Sequence, residues 1–252
     1  MKDLQFTFGI ITDGKPERIQ GLKDVCSSIY ALNIPKFEIL IVGNTDHIHA
    51  ELHNYCNLQC INFNENKHPG WITRKKNIIT ETAKYENIVY QHDYIIYKPD
   101  WYAGFVQFGD EFKVCINKII NFHEERGESE NRFRDLVLDY WSVKERLRRL
   151  DIDERACIIP YADYEERLTP YMYISGAYWV AKKQFMLSCP LNERLKWGQG
   201  EDVEFSKRAR TKTNFRFNSF STVKLNKPGT HRVFVIMTSN EINMFKNSIG
   251  IN

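Results

Sequence analysis

Strand-like and helix-like segments alternate along the first 120 residues, and that alternation restricts the chain to a small set of folds. QFTFGIIT (5–12) is dense in β-formers and ends at the turn-like Asp13-Gly14-Lys15-Pro16. Pro16 opens a stretch in which Ile19, Leu22, Val25, Cys26 and Ile29 recur on one helical face. FEILIVGN (37–44) is a short apolar run closed by Gly43-Asn44, the pattern of a strand buried on both faces. A weaker strand is predicted at QCINF (59–63), a helix over 71–85, a strand at NIVYQ (87–91), a helix over 102–109 and a strand over 112–119. Strands and helices of these lengths predict an α/β fold with a central, mainly parallel sheet flanked by helices. Ligands of such sheets bind at the carboxyl ends of the strands. Here those ends carry Thr12-Asp13, Gly43-Asn44-Thr45-Asp46 and His92-Asp93-Tyr94.

Farther along, the pattern changes. HEERGESENRFRD and SVKERLRRLDIDERA, between about 121 and 168, are dense in both charges and predict exposed helices or an excursion from the core. Apolar strand character returns at YMYISGAYWVA (171–181). With 252 residues the chain can bury a substantial core, as one large domain or two small ones. Hydrophobic residues make up 42% and charged residues 27%, the balance of a soluble globular protein. No apolar run approaches the roughly 20 residues a transmembrane helix needs. The opening MKDLQFTFGIITDG lacks the basic and apolar regions of a signal peptide, and the cysteines read as reduced thiols in a cytoplasmic setting. The six cysteines are dispersed; only Cys56 and Cys60 lie close, and no second pair completes a zinc site. From Lys207 to Arg232 eight cations occur without an acid, either a solvated basic face or a phosphate site.

One stretch combines unusual features. KWGQGEDVEF (196–205) sets Trp197, Gly198 and Gly200 before the adjacent carboxylates Glu201 and Asp202. Read structurally, it is a glycine loop leading into an acidic first helical turn, which the helix dipole favours. Read chemically, the glycines let backbone approach a ligand, Trp197 offers a flat stacking face, and a carboxylate takes a proton. Both readings can hold together.

The order of segments resembles glycosyltransferases of the GT-A fold, in the broad group of family 2 enzymes and the C-terminal part of galactosyltransferases. FTFGIIT resembles their first strand, and FEILIVGNTD the second strand with its acidic ending. GWITRKKNIITETAKYENIVYQHDYIIYKPDWY is similar to the segment running from an Ala-Arg-Asn helix to an Asp-x-Asp motif. KWGQGEDVEF resembles the Trp-Gly-x-Glu-Asp acceptor motif. The likeness covers most of 5–110 and 171–235. It implies a single GT-A domain over 1–252, with a nucleotide-sugar half at about 1–115, a charged helical insertion at about 121–168, and an acceptor and catalytic half at about 169–252.

The resemblance also implies roles. Thr12, Asp46, Arg74, Asn77, His92 and Asp93 would bind the donor; Trp197, Gly200 and Glu201 would bind the acceptor; Asp202 would be the catalytic base. The family's Asp-x-Asp is His92-Asp93-Tyr94 here, so the expected manganese or magnesium ion would rest on Asp93 and on His231, in KPGTHRVF. Fixed Lys and Arg side chains are the alternative means of neutralising a departing diphosphate. His47, His49 and His53 are expected on a loop surface. The leading expectation is an inverting glycosyltransferase that moves a sugar from a nucleotide-sugar to a glycan or lipid-linked saccharide. A hydroxylated base in DNA is a second possible acceptor, and a silent nucleotide-sugar or glycan-binding protein is a third reading.

Overall fold

The uninterrupted apolar runs of the N-terminal hundred residues form parallel strands. β1 (Phe6–Ile11), β2 (Phe37–Gly43), β3 (Leu58–Asn62) and β4 (Asn87–His92) lie in the order β3-β2-β1-β4, all parallel. All six residues of β1 are buried, as a strand covered on both faces requires. The computed structural model describes residues 3–121, 136–226 and 234–251.

The crossovers between these strands are helical. α1 (Ile19–Tyr30) follows a single 3-10 turn at Pro16–Arg18, where proline's fixed φ and missing N–H suit a helix start. Its buried stripe, Leu22, Val25, Cys26 and Ile29, is the face read from the periodicity. α2 (Ile48–Leu52) occupies the region of His47, His49 and His53, which is therefore not an open loop. Ile48 and Leu52, four residues apart and both buried, anchor this turn to the core. α3 (Ile72–Thr82) then leads into β4.

After β4 the chain adds β5 (Ile95–Tyr97), α4 (Trp101–Phe108) and β6 (Val114–Asn121). The segment expected to be an excursion supplies β7 (Val137–Leu138), α5 (Tyr140–Arg149) and β8 (Ala156–Ile158). Asp139 is buried against Arg210 and the other described charges are at least partly exposed, while Leu136, Leu138, Val143, Leu147, Ile152 and Cys157 are buried in one cluster with Tyr90 and Trp179 of the main sheet. That apolar stripe builds the segment into the core.

The predicted strand over 171–181 is divided. β9 (Met172–Tyr173) pairs with β7, whereas β10 (Tyr178–Lys182) inserts antiparallel between β4 and β6. Residues 174–177 carry the chain from one sheet to the other. α6 (Lys183–Ser188), α7 (Glu201–Ala209), β11 (Phe215–Leu225), β12 (Val235–Ile236) and α8 (Ser239–Ser248) complete the described elements. The large sheet has the order β3-β2-β1-β4-β10-β6-β11-β5, and the small one β12-β8-β7-β9. Six of the eight strands of the large sheet share a direction; β10 and β5 oppose it. The sheet is thus mainly parallel, as expected.

Helices cover both of its faces. On one, Phe6, Phe8 and Ile10 meet the α1 stripe and Trp101 and Phe105 of α4. On the other, Tyr90 and Trp179 stack at 5.0 Å beneath Ile79 of α3 and Phe205 of α7. The second arrangement places α3 and α7 over the same strand ends.

Candidate active site

Three parallel strands end together, and the polar residues that follow them line a cleft of about 760 Å³. Thr12 and Asp13 come from the end of β1, Asn44 and His47 from that of β2, and His92, Asp93 and Tyr94 from that of β4. Asp93 is buried, and its Oδ2 accepts a hydrogen bond from Thr12 Oγ1 at 2.7 Å. Thr12 Oγ1 in turn accepts from the Gly14 N–H at 3.1 Å, so the three groups fix one another. Burial pushes the Asp93 carboxyl above the ordinary carboxylate range; the Thr12 hydroxyl and the charge of Arg18 oppose this, and Asp13 adds to it. The His92 and Tyr94 rings stack at 5.2 Å with 17° between their planes.

Cations line the same cleft: Lys15, Arg18 and Lys75. Lys75 is nearly buried, donates to the Thr12 carbonyl at 2.8 Å and pairs with Glu65. Lys75 stands on the cleft wall. Its neighbours Arg74 and Asn77 do not line the cleft. Arg74 Nη1 pairs with Glu81 at 2.7 Å and Glu193 at 3.0 Å. Asn77 donates to the Leu191 carbonyl and accepts from the Leu191 N–H, both at 3.0 Å. These two side chains pin the segment that leads into the 196–200 loop. Asp46 accepts from Asn62 at 3.1 Å on an exposed edge and does not line the cleft either.

Opposite the strand ends stands Trp197. Its N–H donates to the Gly70 carbonyl at 2.8 Å, which brings the 196–200 loop against the start of α3. The side chain is 71% exposed and forms part of the cleft wall. Beyond it, Gly200 takes the left-handed conformation (φ 71°, ψ 35°) that ends the loop and starts α7. Glu201, Asp202 and Glu204 occupy the first turn, so the acidic helix start is present.

Glu201 and Asp202 do not themselves line the cleft; they converge beside it on one glycine. Asp202 Oδ2 accepts from the Gly176 N–H at 3.1 Å, and Oδ1 accepts from the Val203 N–H at 2.9 Å. A methyl group on Gly176 would lie 3.1 Å from Asp202 Oδ2 and 3.2 Å from Glu201 Oε1, so the carboxylates crowd the space a side chain would need. The next residue completes the link to the cleft: the Ala177 carbonyl accepts from the His92 N–H at 3.1 Å. Residues 176–177 therefore join the Asp93 corner to the Glu201-Asp202 corner. Glu201 is buried and its carboxyl is raised, first by burial and then by Asp202, with Lys76 opposing.

A cation ligand set is less complete. Among the described residues no three His, Cys, Asp or Glu side chains gather in a way that could hold a metal ion. Asp93 has one oxygen engaged by Thr12, and His231 lies outside the described residues. The donors described do not by themselves fit a protein-held divalent cation.

No protein-family model matches the sequence, and no curated protein matches it. Solved structures do. Residues 1–349 of Staphylococcus aureus TarS, in complex with UDP-GlcNAc, superpose with a TM-score of 0.57 at 12% identity, over 98% of this chain and 65% of that one. A longer S. aureus TarS structure gives 0.55 at 13% identity, over 98% of this chain and 39% of that one. GalNAc-T7 with UDP, GalNAc and Mn2+ gives 0.56 at 14% identity, over 88% and 43%. The chain spans less than two thirds of each of these proteins. At such identities the likeness is one of architecture, and the architecture of this chain is the GT-A glycosyltransferase fold.

Proposed function

We propose that the chain is an inverting glycosyltransferase that takes a sugar from a nucleoside diphosphate donor held in the strand-end cleft. The observation that carries this reading is the junction at residues 176–177. It sets a cleft lined by Asp93 and three cations directly beside a pair of convergent carboxylates. The fold shared with proteins solved with UDP-GlcNAc and with UDP supports a nucleotide-sugar donor.

In this reading Asp202 is the base. As the acceptor oxygen bonds to the anomeric carbon, Asp202 takes the hydroxyl proton, and the bond from that carbon to the phosphate oxygen breaks on the opposite side. The electron pair leaves with the diphosphate. Lys75, Arg18 and Lys15 stabilise the charge that builds there; Lys75, fixed and nearly buried, is worth more than a cation in water, whereas Lys15 is exposed and screened. Two backbone N–H groups hold the Asp202 carboxylate in one orientation before substrate arrives. Trp197, on the cleft wall ahead of this pair, would stack on the acceptor sugar, with Glu201 and Gly200 beside it. A growing glycan or a lipid-linked saccharide is the acceptor class that suits such a platform.

The test is a panel of nucleotide sugars, assayed for slow hydrolysis or transfer with and without manganese or magnesium. One donor should be consumed. Asp202→Asn should lower transfer by about 100-fold or more, the usual contribution of a positioned base, with donor affinity near wild type. Full transfer by that variant would remove the assigned base.

A further inference from the structure

Beneath the carboxylate pair lies a charge that the reaction itself does not use. Lys76 is completely buried on α3, one residue from the cleft-facing Lys75. Its ammonium donates to the Gly176 carbonyl at 2.7 Å and sits 4.3 Å from the centre of the Trp179 ring. Gly176 is the residue whose N–H binds Asp202. One glycine is therefore gripped from both sides, its carbonyl by a cation and its N–H by the carboxylate assigned as base.

We propose that Lys76 is a positioning residue that keeps the Glu201-Asp202 pair charged and correctly turned from below the site. This deepens the transferase reading and rests on it for the role of Asp202. Two carboxylates crowding one glycine repel each other, and the burial of Glu201 adds to the cost of ionising them. A buried cation is the compensating partner such a pair needs. Burial lowers the Lys76 pKa to about 8, with Glu201 and Asp202 on α7 opposing this by favouring the protonated form and Lys75 adding to it. Tyr90, stacked behind Trp179, retains its proton because burial raises its hydroxyl far above neutrality. Lys76 also explains why a lysine with no solvent contact is tolerated inside an apolar cluster. Its energetic return lies in the pair above it and in the Gly176 peptide it polarises.

The decisive comparison is between wild type, Lys76→Met and Lys76→Arg. The acid limb of the kcat/KM profile reports the base of the free enzyme. Removing a nearby opposite charge should move that limb up by about one pH unit or more in Lys76→Met. Lys76→Arg should restore the wild-type limb, whatever its absolute rate. A packing role alone would lower stability in both variants without moving the limb, and an unmoved limb in Lys76→Met overturns the proposal. A second measurement needs neither activity nor a change at Lys76. In protein labelled with 13C at the Glu, Asp and Lys side chains, the Glu201 and Asp202 carboxyl signals, assigned through Glu201→Gln and Asp202→Asn, should shift together with the Lys76 Cε signal as Lys76 loses its proton. Carboxyl signals indifferent to that step overturn the coupling. Should no donor be consumed while the coupled step is seen, the transferase reading fails and the Lys76 linkage stands.

Discussion

Gly176 illustrates how little a single residue needs in order to decide a site. Its hydrogen side chain leaves room for two carboxylate oxygens that a methyl group would meet at 3.1 and 3.2 Å. Gly176→Ala should therefore fold, with a stability loss of about 1–2 kcal/mol from local overpacking. It should also turn Asp202 away and lower kcat/KM by about tenfold to a hundredfold, because small misplacements of reacting groups are costly. Chemical denaturation and steady-state rates on the same preparation separate the two effects. Thr12 makes a similar case. Thr12→Val removes the donor to Asp93 and the acceptor for Gly14, leaving buried polar atoms unpaired at a cost of about 1–3 kcal/mol. Losing its hydroxyl donor also raises the Asp93 carboxyl further. Lys76 contributes to stability in its own way. Its folded pKa of about 8 is below the ordinary lysine value of 10.5, so between those pH values the unfolded chain binds the extra proton. Wild type should gain stability relative to Lys76→Met as the pH rises through that window, and the term is absent below it.

At the scale of elements, α3 carries the most divergent tasks. Four consecutive residues serve three surroundings: Arg74 and Asn77 fasten the 191–193 segment, Lys75 faces the cleft, and Lys76 lies under α7. Periodicity made the helix legible in the sequence, since Ile72, Ile79 and the flanking turns are local signals. Which polar face met which neighbour was not legible. That depends on a loop more than a hundred residues away, and nothing local to RKKN encodes it. Asn77→Ala tests the assignment: losing both bonds to Leu191 should cost about 2–4 kcal/mol, seen in denaturation, while donor affinity at saturating folded protein stays near wild type. The strand over 171–181 was misjudged for a related reason. Its apolar run is continuous, but β9 and β10 pair in different sheets, and the intervening 174–177 turn is dictated by those partners. The charged middle segment likewise concealed Val143 and Leu147, a narrow apolar stripe four residues apart within a run of charges. The start of β11 is half-buried: Phe215 is buried, Arg216 is exposed and Phe217 stacks on Tyr161 at 5.2 Å.

For the molecule as a whole, the sheet was the most readable feature. Its central strands β1, β2 and β4 are buried on both faces over most of their length, so their apolar runs are long and their polar endings abrupt, and the cleft stands where those endings cluster. The site was readable only in part, because it is assembled across nearly two hundred residues, from Thr12 to Asp202, and convergence of that kind is a property of topology. Asp93, His92, Thr12 and Trp197 were found from strand ends and a glycine loop. Lys75, Arg18 and Lys76 gave no comparable signal, being cations in ordinary helical surroundings; the burial of Lys75 and Lys76 is visible only in three dimensions. Among the described residues no helix is long and apolar enough to cross a membrane.

The central claim is that a nucleotide-sugar lies in the strand-end cleft with its anomeric carbon toward Gly176. A crystal soaked with UDP-GlcNAc, the ligand present in one TarS structure of the same fold, tests it most directly. The account predicts the diphosphate against Lys75 and Arg18, the nucleoside toward the ends of β1 and β2, and the sugar directed at the Asp202 carboxylate. Density for the nucleotide on any other face, or a sugar pointing away from Asp202, would contradict it.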